Sequence, residues 1–441
     1  MTRTLQPEQI KRVVVRGANW VGDAVMTVAA LRELRRVLPG AHITLATRPW
    51  AKGIFAGTDI IDDLLPIDDT RRGLRATLGE IAAWRAQRFD LALFLPNAFQ
   101  PAFIAAAARV PLRVGYATDG RGFLLTHPHA PPAWRSEQHE VFYYLNLVFE
   151  LERALTGAAR FEEREPQYQL QVSAERQAAA RNLLSRHGAL NDRPLVALCP
   201  GSTNSRAKRW PAERFAALAD HLMGKARVNV ALIGAREELD VTTEVLAKMR
   251  RRPVVLTGET DLAGTVAVLS VADLLVTNDT GPAHISAALE RPTLVIFGPT
   301  NPVTTRPFSH TADIMRRPPD CAPCMLRECP IDHRCMTAIT AEEVFLRAVE
   351  MLAHAQCDAH PAGDAEHGAR PGATHGTTPH AAHDGTRPGA THNDMTPGAQ
   401  GDGMTAGATG GARVEATNEA RGMLDDTTGD ESTREVGAEV A

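Results

Sequence analysis

The chain has 441 residues, which at about 100–200 residues per domain points to two or three folded units. Its 48 basic and 52 acidic side chains nearly balance, and 44% of its residues are hydrophobic; this excludes the concentrated positive charge of a nucleic-acid binder. Six cysteines in so long a chain exclude a disulfide scaffold and are expected as thiols or metal ligands.

The N-terminal stretch MTRTLQPEQIKR is polar, and the first apolar run, Val13–Val15, is too short for a secretion signal or a spanning helix. A cytoplasmic location is therefore expected. Val13–Val15 opens an alternation of short β-branched runs with amphipathic stretches. Strands are predicted at Val13–Val15, Ile43–Ala46, Leu91–Leu95 and Arg113–Gly115, with a helix such as Ala24–Val37 between them. Residues Arg160–Pro166 turn polar, and after a predicted helix at Ala174–His187 the alternation restarts. Its strands are Leu195–Cys199, Val228–Ile233, Val254–Leu256, Leu274–Thr277 and Leu294–Phe297. Two such sets predict an α/β protein of two doubly wound parallel sheets, residues 1–165 and 166–357, facing a cleft.

From Asp358 to Ala441 the composition changes. This segment has 14 acidic and 5 basic residues, a net charge of −9, and it lacks Phe, Trp, Tyr, Ile and Lys. It repeats RPGATH at Arg370–His375 and Arg387–His392. With so little to bury, residues 358–441 are expected to be a disordered acidic tail.

Ligands in such sheets bind beyond the carboxyl ends of the strands, so the loops there are the place to look. The first is RGANWVGDAVMT, Arg16–Thr27, where Asp23 stands at a helix start; the plain reading of Asp23 is a helix cap. The pattern lacks GxGxxG, which counts against a nicotinamide enzyme. The second loop, CPGSTNSRAKRWPAERF from Cys199, offers Gly201, Ser202, Thr203 and Lys208, the parts of a phosphate cradle or of an exposed basic loop. In the third, TNDTGPAHISAAL from Thr277, Asp279, Thr280 and Gly281 precede Pro282 at a helix start, where free N–H groups and the helix dipole suit a diphosphate. GPTNP, Gly298–Pro302, adds a loop to the same edge. The fourth, CAPCMLRECPIDHRC, holds Cys321, Cys324, Cys329, His333 and Cys335. Those are enough ligands for a structural zinc, but the spacing is irregular and packed thiols are the alternative.

Together these motifs resemble the ADP-heptose:lipopolysaccharide heptosyltransferases of glycosyltransferase family 9, most closely those of the heptosyltransferase II type. The resemblance covers about Lys11 to Leu352 and rests on RGANWVGDAVMT, PGSTNSRAKRWPAERF, NDTGPAHISAA with FGPTNP, and CAPCMLRECPIDHRCM. It implies a GT-B fold, with the acceptor on the N-terminal half and the nucleotide-sugar on the C-terminal half. It also implies inverting transfer of L-glycero-D-manno-heptose from ADP-heptose to the lipopolysaccharide inner core, Kdo-lipid A bearing one heptose, without a cofactor or catalytic metal. Carried over by motif, Asp23 matches the general base, with Asn19, Trp20 and Gly22 in the acceptor-side loop. Ser202, Thr203 and Lys208 match diphosphate contacts, Asp279, Thr280, Gly281 and His284 the donor loop, and Glu238 a ribose-binding carboxylate.

Two further expectations concern the site and its surroundings. A helix N-terminus lowers the pKa of a carboxylate and so weakens Asp23 as a base. A lipid acceptor implies peripheral attachment at the cytoplasmic face of the inner membrane, for which Arg71, Arg72, Arg75, Arg85 and Arg88 are the candidate contacts with anionic head groups. The competing readings are another GT-B transferase of the heptosyltransferase I or III type, a nucleotide-sugar epimerase, and a nucleotide-binding regulator that turns nothing over.

Overall fold

Runs such as Val13–Val15 and Leu294–Phe297 are apolar on every residue, as strands covered by helices on both faces must be. In the computed structural model, which describes residues 7–67, 73–160 and 165–359 (side chains to 355), they lie inside two sheets, with a neighbouring strand on either side. In chain order the first half runs β1 (Arg12–Arg16), α1 (Val21–Met26), α2 (Val28–Val37), β2 (His42–Thr47), α3 (Lys52–Phe55), β3 (Asp63–Pro66) and α4 (Leu74–Gln87). It continues with β4 (Leu91–Phe94), α5 (Phe99–Ala107), β5 (Leu112–Tyr116), β6 (His127–His129) and α6 (Glu140–Thr156). The second half runs α7 (Ala174–Arg186), β7 (Leu195–Cys199), α8 (Ala212–His221), β8 (Asn229–Leu232), α9 (Leu239–Lys248), β9 (Val254–Val255) and α10 (Leu262–Ser270). It ends with β10 (Leu274–Asn278), α11 (Gly281–Ala288), β11 (Thr293–Phe297), α12 (Pro302–Thr305), β12 (Ala312–Arg316), α13 (Arg334–Thr337) and α14 (Ala341–Ala359).

All pairings are parallel, in the orders β3-β2-β1-β4-β5-β6 and β12-β11-β10-β7-β8-β9. Numbered from its own first strand, the second sheet has the same order as the first, the doubly wound arrangement with a ligand crevice where the order reverses. Those reversal points lie between β1 and β4 and between β7 and β10, so the loops following these four strands are where the fold places chemistry.

The predicted helix Ala24–Val37 is two helices broken at Thr27, whose hydroxyl donates to Ala24 O at 2.6 Å; such back-bonding bends a helix. The short α1 that results is free to turn toward the other half, and it packs on α11. A Cβ on Gly22 would stand 2.9 Å from His284 Cδ2, and one on Gly281 would stand 2.7 Å from Val21 Cγ1. Glycine on both sides lets the two backbones meet. Helix α14 extends to Ala359, two residues into the segment expected to be disordered; the tail from residue 360, with Arg71 and Arg72, lies outside the described residues.

Candidate active site

At the end of β1, the buried Arg16 guanidinium donates to Gly17 O at 2.6 Å and to Asn19 Oδ1 at 2.9 Å, fixing the loop that leads to α1. Trp20, not Asp23, is the N-cap of α1, and it makes no side-chain cap bond. The plain reading of Asp23 as a cap is thereby corrected: it is the third helical residue, and its carboxyl lines a cavity of about 250 Å³ with Asn19, Asn97, Arg135, Glu140 and Tyr143. The expectation of a weakened base is also reversed. Burial, then the nearby Glu140 carboxylate, and to a lesser degree Asp279, raise the Asp23 pKa to about 6 against the opposing pull of Lys208. Desolvation and like charge outweigh the first turn of a six-residue helix.

The far wall of this cavity comes from the loop after β4 and from α6, neither of which the sequence motifs marked. Arg121 is completely buried and donates to Pro96 O at 2.6 Å, Ala98 O at 2.9 Å and Tyr116 O at 2.9 Å, gripping the loop that carries Asn97. Asn97 Nδ2 in turn donates to the Tyr143 hydroxyl at 2.9 Å. At the start of α6, His139 caps the helix: its Nδ1 accepts from Val141 N at 3.2 Å while its Nε2 meets Arg306 O at 2.6 Å. This requires the Nε2–H tautomer and ties α6 to the second half. Glu140 follows, 3.6 Å from Arg135, whose guanidinium lies 4.3 Å from the centre of the Tyr143 ring. Burial raises the Glu140 pKa too, with Arg135 pulling it back.

On the opposite side, the loop after β7 wraps a carboxylate. Glu238 is buried, accepts from Ala235 N at 3.0 Å and from the Thr203 hydroxyl at 3.2 Å, and presses so closely on Gly201 that any Cβ there would overlap its carboxyl. Gly201→Ala is therefore expected to push Glu238 out of place and to lower the melting temperature, as calorimetry on the two proteins would show. The side chain of Asn278, buried at the end of β10, donates to Pro200 O at 2.8 Å and to Gly201 O at 3.1 Å and accepts from Trp210 N at 2.9 Å. One amide thus joins the β7 and β10 loops across the second reversal point. Ser202 is buried, and its carbonyl accepts from Arg209 at 3.1 and 3.2 Å.

Lys208 and Asp279, singled out separately in the sequence, form a pair. Lys208 Nζ lies 2.8 Å from Asp279 Oδ2, which also accepts from the Thr300 hydroxyl at 2.6 Å. Asp279 is 3% exposed and the Lys208 side chain 26%, so the carboxylate is committed to aiming the ammonium, which keeps an open side. The turn that carries Lys208 is braced from beneath by the cysteine-rich segment. Ala207 N donates to Arg327 O at 2.9 Å, and His333 Nε2 meets Ala207 O at 2.6 Å.

Helix α11 begins at Gly281 with Thr280 as N-cap. It offers fewer donors than the four a bare terminus would have, because Pro282 has no N–H and that of Ala283 is taken by Thr280 O at 3.1 Å. His284 is buried, and its burial holds the imidazole pKa down near 4 despite Asp279. It is a neutral ring packed on Gly22, next to Asp23. Cys321, Cys329 and, in part, Cys324 are open to solvent, and Cys335 is buried. Among the described residues no group of three or more His, Cys, Asp or Glu is placed to hold a metal ion.

Comparison with known proteins places this geometry. The profile of glycosyltransferase family 9 (heptosyltransferase) matches residues 81–334. Lipopolysaccharide heptosyltransferase 2 of Salmonella typhimurium is 30% identical over 319 residues, 69% of this chain and 88% of that protein. The Escherichia coli K12 protein of the same name matches at 30% with the same coverage. The solved structure of E. coli ADP-heptose lps heptosyltransferase II aligns with a TM-score of 0.65 and 26% identity, covering 79% of this chain and 100% of that one. This bears out the expected pair of Rossmann-like sheets in a GT-B arrangement. By its sequence and its fold, the chain is a glycosyltransferase and belongs to glycosyltransferase family 9, the heptosyltransferases.

Proposed function

We propose that the protein transfers L-glycero-D-manno-heptose from ADP-heptose to the inner core of lipopolysaccharide, adding the second heptose to Kdo-lipid A that bears one. Its acceptor lies on the β1–β6 half and its donor on the β7–β12 half. The reaction is inverting and uses no metal, and the enzyme works as a peripheral protein at the cytoplasmic face of the inner membrane. The carrying observation is that Asp23, its pKa lifted to about 6, sits on a small polar cavity at one reversal point while the α1–α11 contact brings it beside the Lys208–Asp279 pair at the other.

The chemistry follows from that placement. An acceptor hydroxyl in the cavity attacks the anomeric carbon from the face opposite the diphosphate. A C–O bond forms there as the bond to the leaving ADP oxygen breaks, which inverts the centre in one displacement. Asp23 takes the hydroxyl proton, and Lys208, aimed by Asp279 and Thr300, steadies the charge growing on the diphosphate. Glu238, with Gly201 packed against its carboxyl and the Thr203 hydroxyl bonded to it, is the group assigned to the ribose hydroxyls. Neutral His284, packed on Gly22 next to the base, adds no charge there.

Two measurements test this reading. ADP-heptose incubated with and without acceptor in EDTA, followed by mass analysis, is expected to yield heptosylated acceptor and ADP. An altered nucleotide-sugar without acceptor, or no turnover at all, would favour the epimerase or regulator instead. Glu140→Gln removes a negative charge that raises the Asp23 pKa, so the acid limb of kcat/KM is expected to move to lower pH. An unmoved limb would remove Glu140 from the tuning of the base.

A further inference from the structure

Three phenylalanines on the β1–β6 half stand in the open. Phe99 and Phe103, one turn apart on α5, are each 42% exposed, and Phe123, on the short turn after β5, is 76% exposed. They form a cluster: the Phe99 ring stacks 6.4 Å from Phe103 and lies 6.2 Å from Phe123. Exposed aromatic rings in mutual contact mark an interaction surface. Helix α4, packed against α5, adds the exposed Leu74 and Leu78. It also carries the exposed Arg75 and Arg85, with Arg88 at its left-handed C-cap. Arg85 Nη2 donates to Ala107 O at 2.5 Å, fastening α4 to the end of α5, so the surface is a fixed platform.

Its position relates it to the reaction. Helices α4 and α5 line a cavity of about 760 Å³, and Asn19 lines both this cavity and the smaller one that holds Asp23. The space between the two helices thus borders, at Asn19, the cavity that holds the base.

We infer that the face made by Phe99, Phe103 and Phe123, with Leu74 and Leu78 exposed on the neighbouring α4, seats the enzyme on an anionic phospholipid bilayer. The rings enter the interfacial layer while Arg75 and Arg88 lie at head-group level. The inference rests on the proposed lipid-linked acceptor. Charge complementarity favours a bilayer over a second copy of the chain, which would bring a rim of the same sign. The exposed Asp119, on the turn before Phe123, and the half-buried Glu80 of α4 oppose that balance, which Arg75, Arg85 and Arg88 leave positive. The arginines alone could be picked out from sequence; the aromatic cluster assembles from α5 and a distant turn and becomes visible only in the fold.

The test is sedimentation of the full-length protein with phosphatidylethanolamine–phosphatidylglycerol vesicles. Phe103→Ser with Phe123→Ser removes two solvent-facing rings, so the melting temperature is expected to hold. The expected loss of vesicle partitioning is roughly tenfold or more, and the part lost is the part that survives high salt. Arg75→Gln with Arg88→Gln should remove the salt-sensitive part instead. Turnover on a delipidated, water-soluble acceptor should stay at the wild-type level in the phenylalanine variant, while KM for acceptor in vesicles rises. Wild-type partitioning by that variant would overturn the inference, as would a wild-type dimer that the same substitutions dissociate. Failure of the heptosyl reading is a separate result: no transfer to the water-soluble acceptor by the wild type, whatever the vesicles show.

Discussion

Asp23→Asn is expected to lower heptosyl transfer by roughly 10²- to 10⁴-fold while leaving ADP-heptose affinity nearly unchanged. The amide keeps the shape of the carboxyl and removes only its capacity to take a proton. No cap is lost, because Trp20 occupies that position. Stability should move the opposite way from activity. The folded carboxyl has its pKa raised from the ordinary 3.8 to about 6, so its ionisation costs the fold on the order of 2–3 kcal/mol at neutral pH. That cost appears as pH rises from 3.8 and is complete above the raised value. Asparagine relieves part of it, so the melting temperature at neutral pH should rise in the inactive variant. A fall in both activity and melting temperature would point to a structural role.

Lys208→Ala is expected to weaken ADP-heptose binding and to slow transfer by roughly 10²- to 10³-fold, because in the proposed reaction the ammonium meets the diphosphate both before and during bond breaking. The geometry adds a second consequence. Asp279, 3% exposed and left with the Thr300 hydroxyl, becomes a buried negative charge beside the diphosphate, which costs both stability and affinity. Lys208→Ala combined with Asp279→Asn should therefore bind ADP-heptose better than Lys208→Ala alone. Additive losses in titration calorimetry of the four proteins would show that the two side chains act separately.

Much of this was legible in the chain because the central strands are apolar throughout; Leu195–Cys199 is the same in sequence and structure. The strands that went unread are β3, β6 and β12. All three are edges of their sheets, none contains a fully buried residue, and β3 ends on Pro66. An edge strand carries little of the hydrophobic pattern from which strands are recognised. The glycine-rich loops could be found because their residue types are tied to local backbone needs. The Lys208–Asp279 pair could not, since it joins residues from different βα units. The same holds for Asn97, Arg135, Glu140 and Tyr143, which become site residues only when α6 closes over the first reversal point. The direction of the Asp23 shift was misread for the same reason. Helix position is local, whereas burial and the carboxylates of Glu140 and Asp279 arrive with the tertiary fold.

The pH dependence of kcat/KM for heptosyl transfer tests the central claim, that Asp23 is the base, most directly. The wild-type enzyme is predicted to lose activity as pH falls through about 6, the raised pKa of Asp23, and Asp23→Asn to show a low rate without that limb. A limb at the ordinary carboxylate value, or one that persists in Asp23→Asn at a near-normal rate, would contradict it.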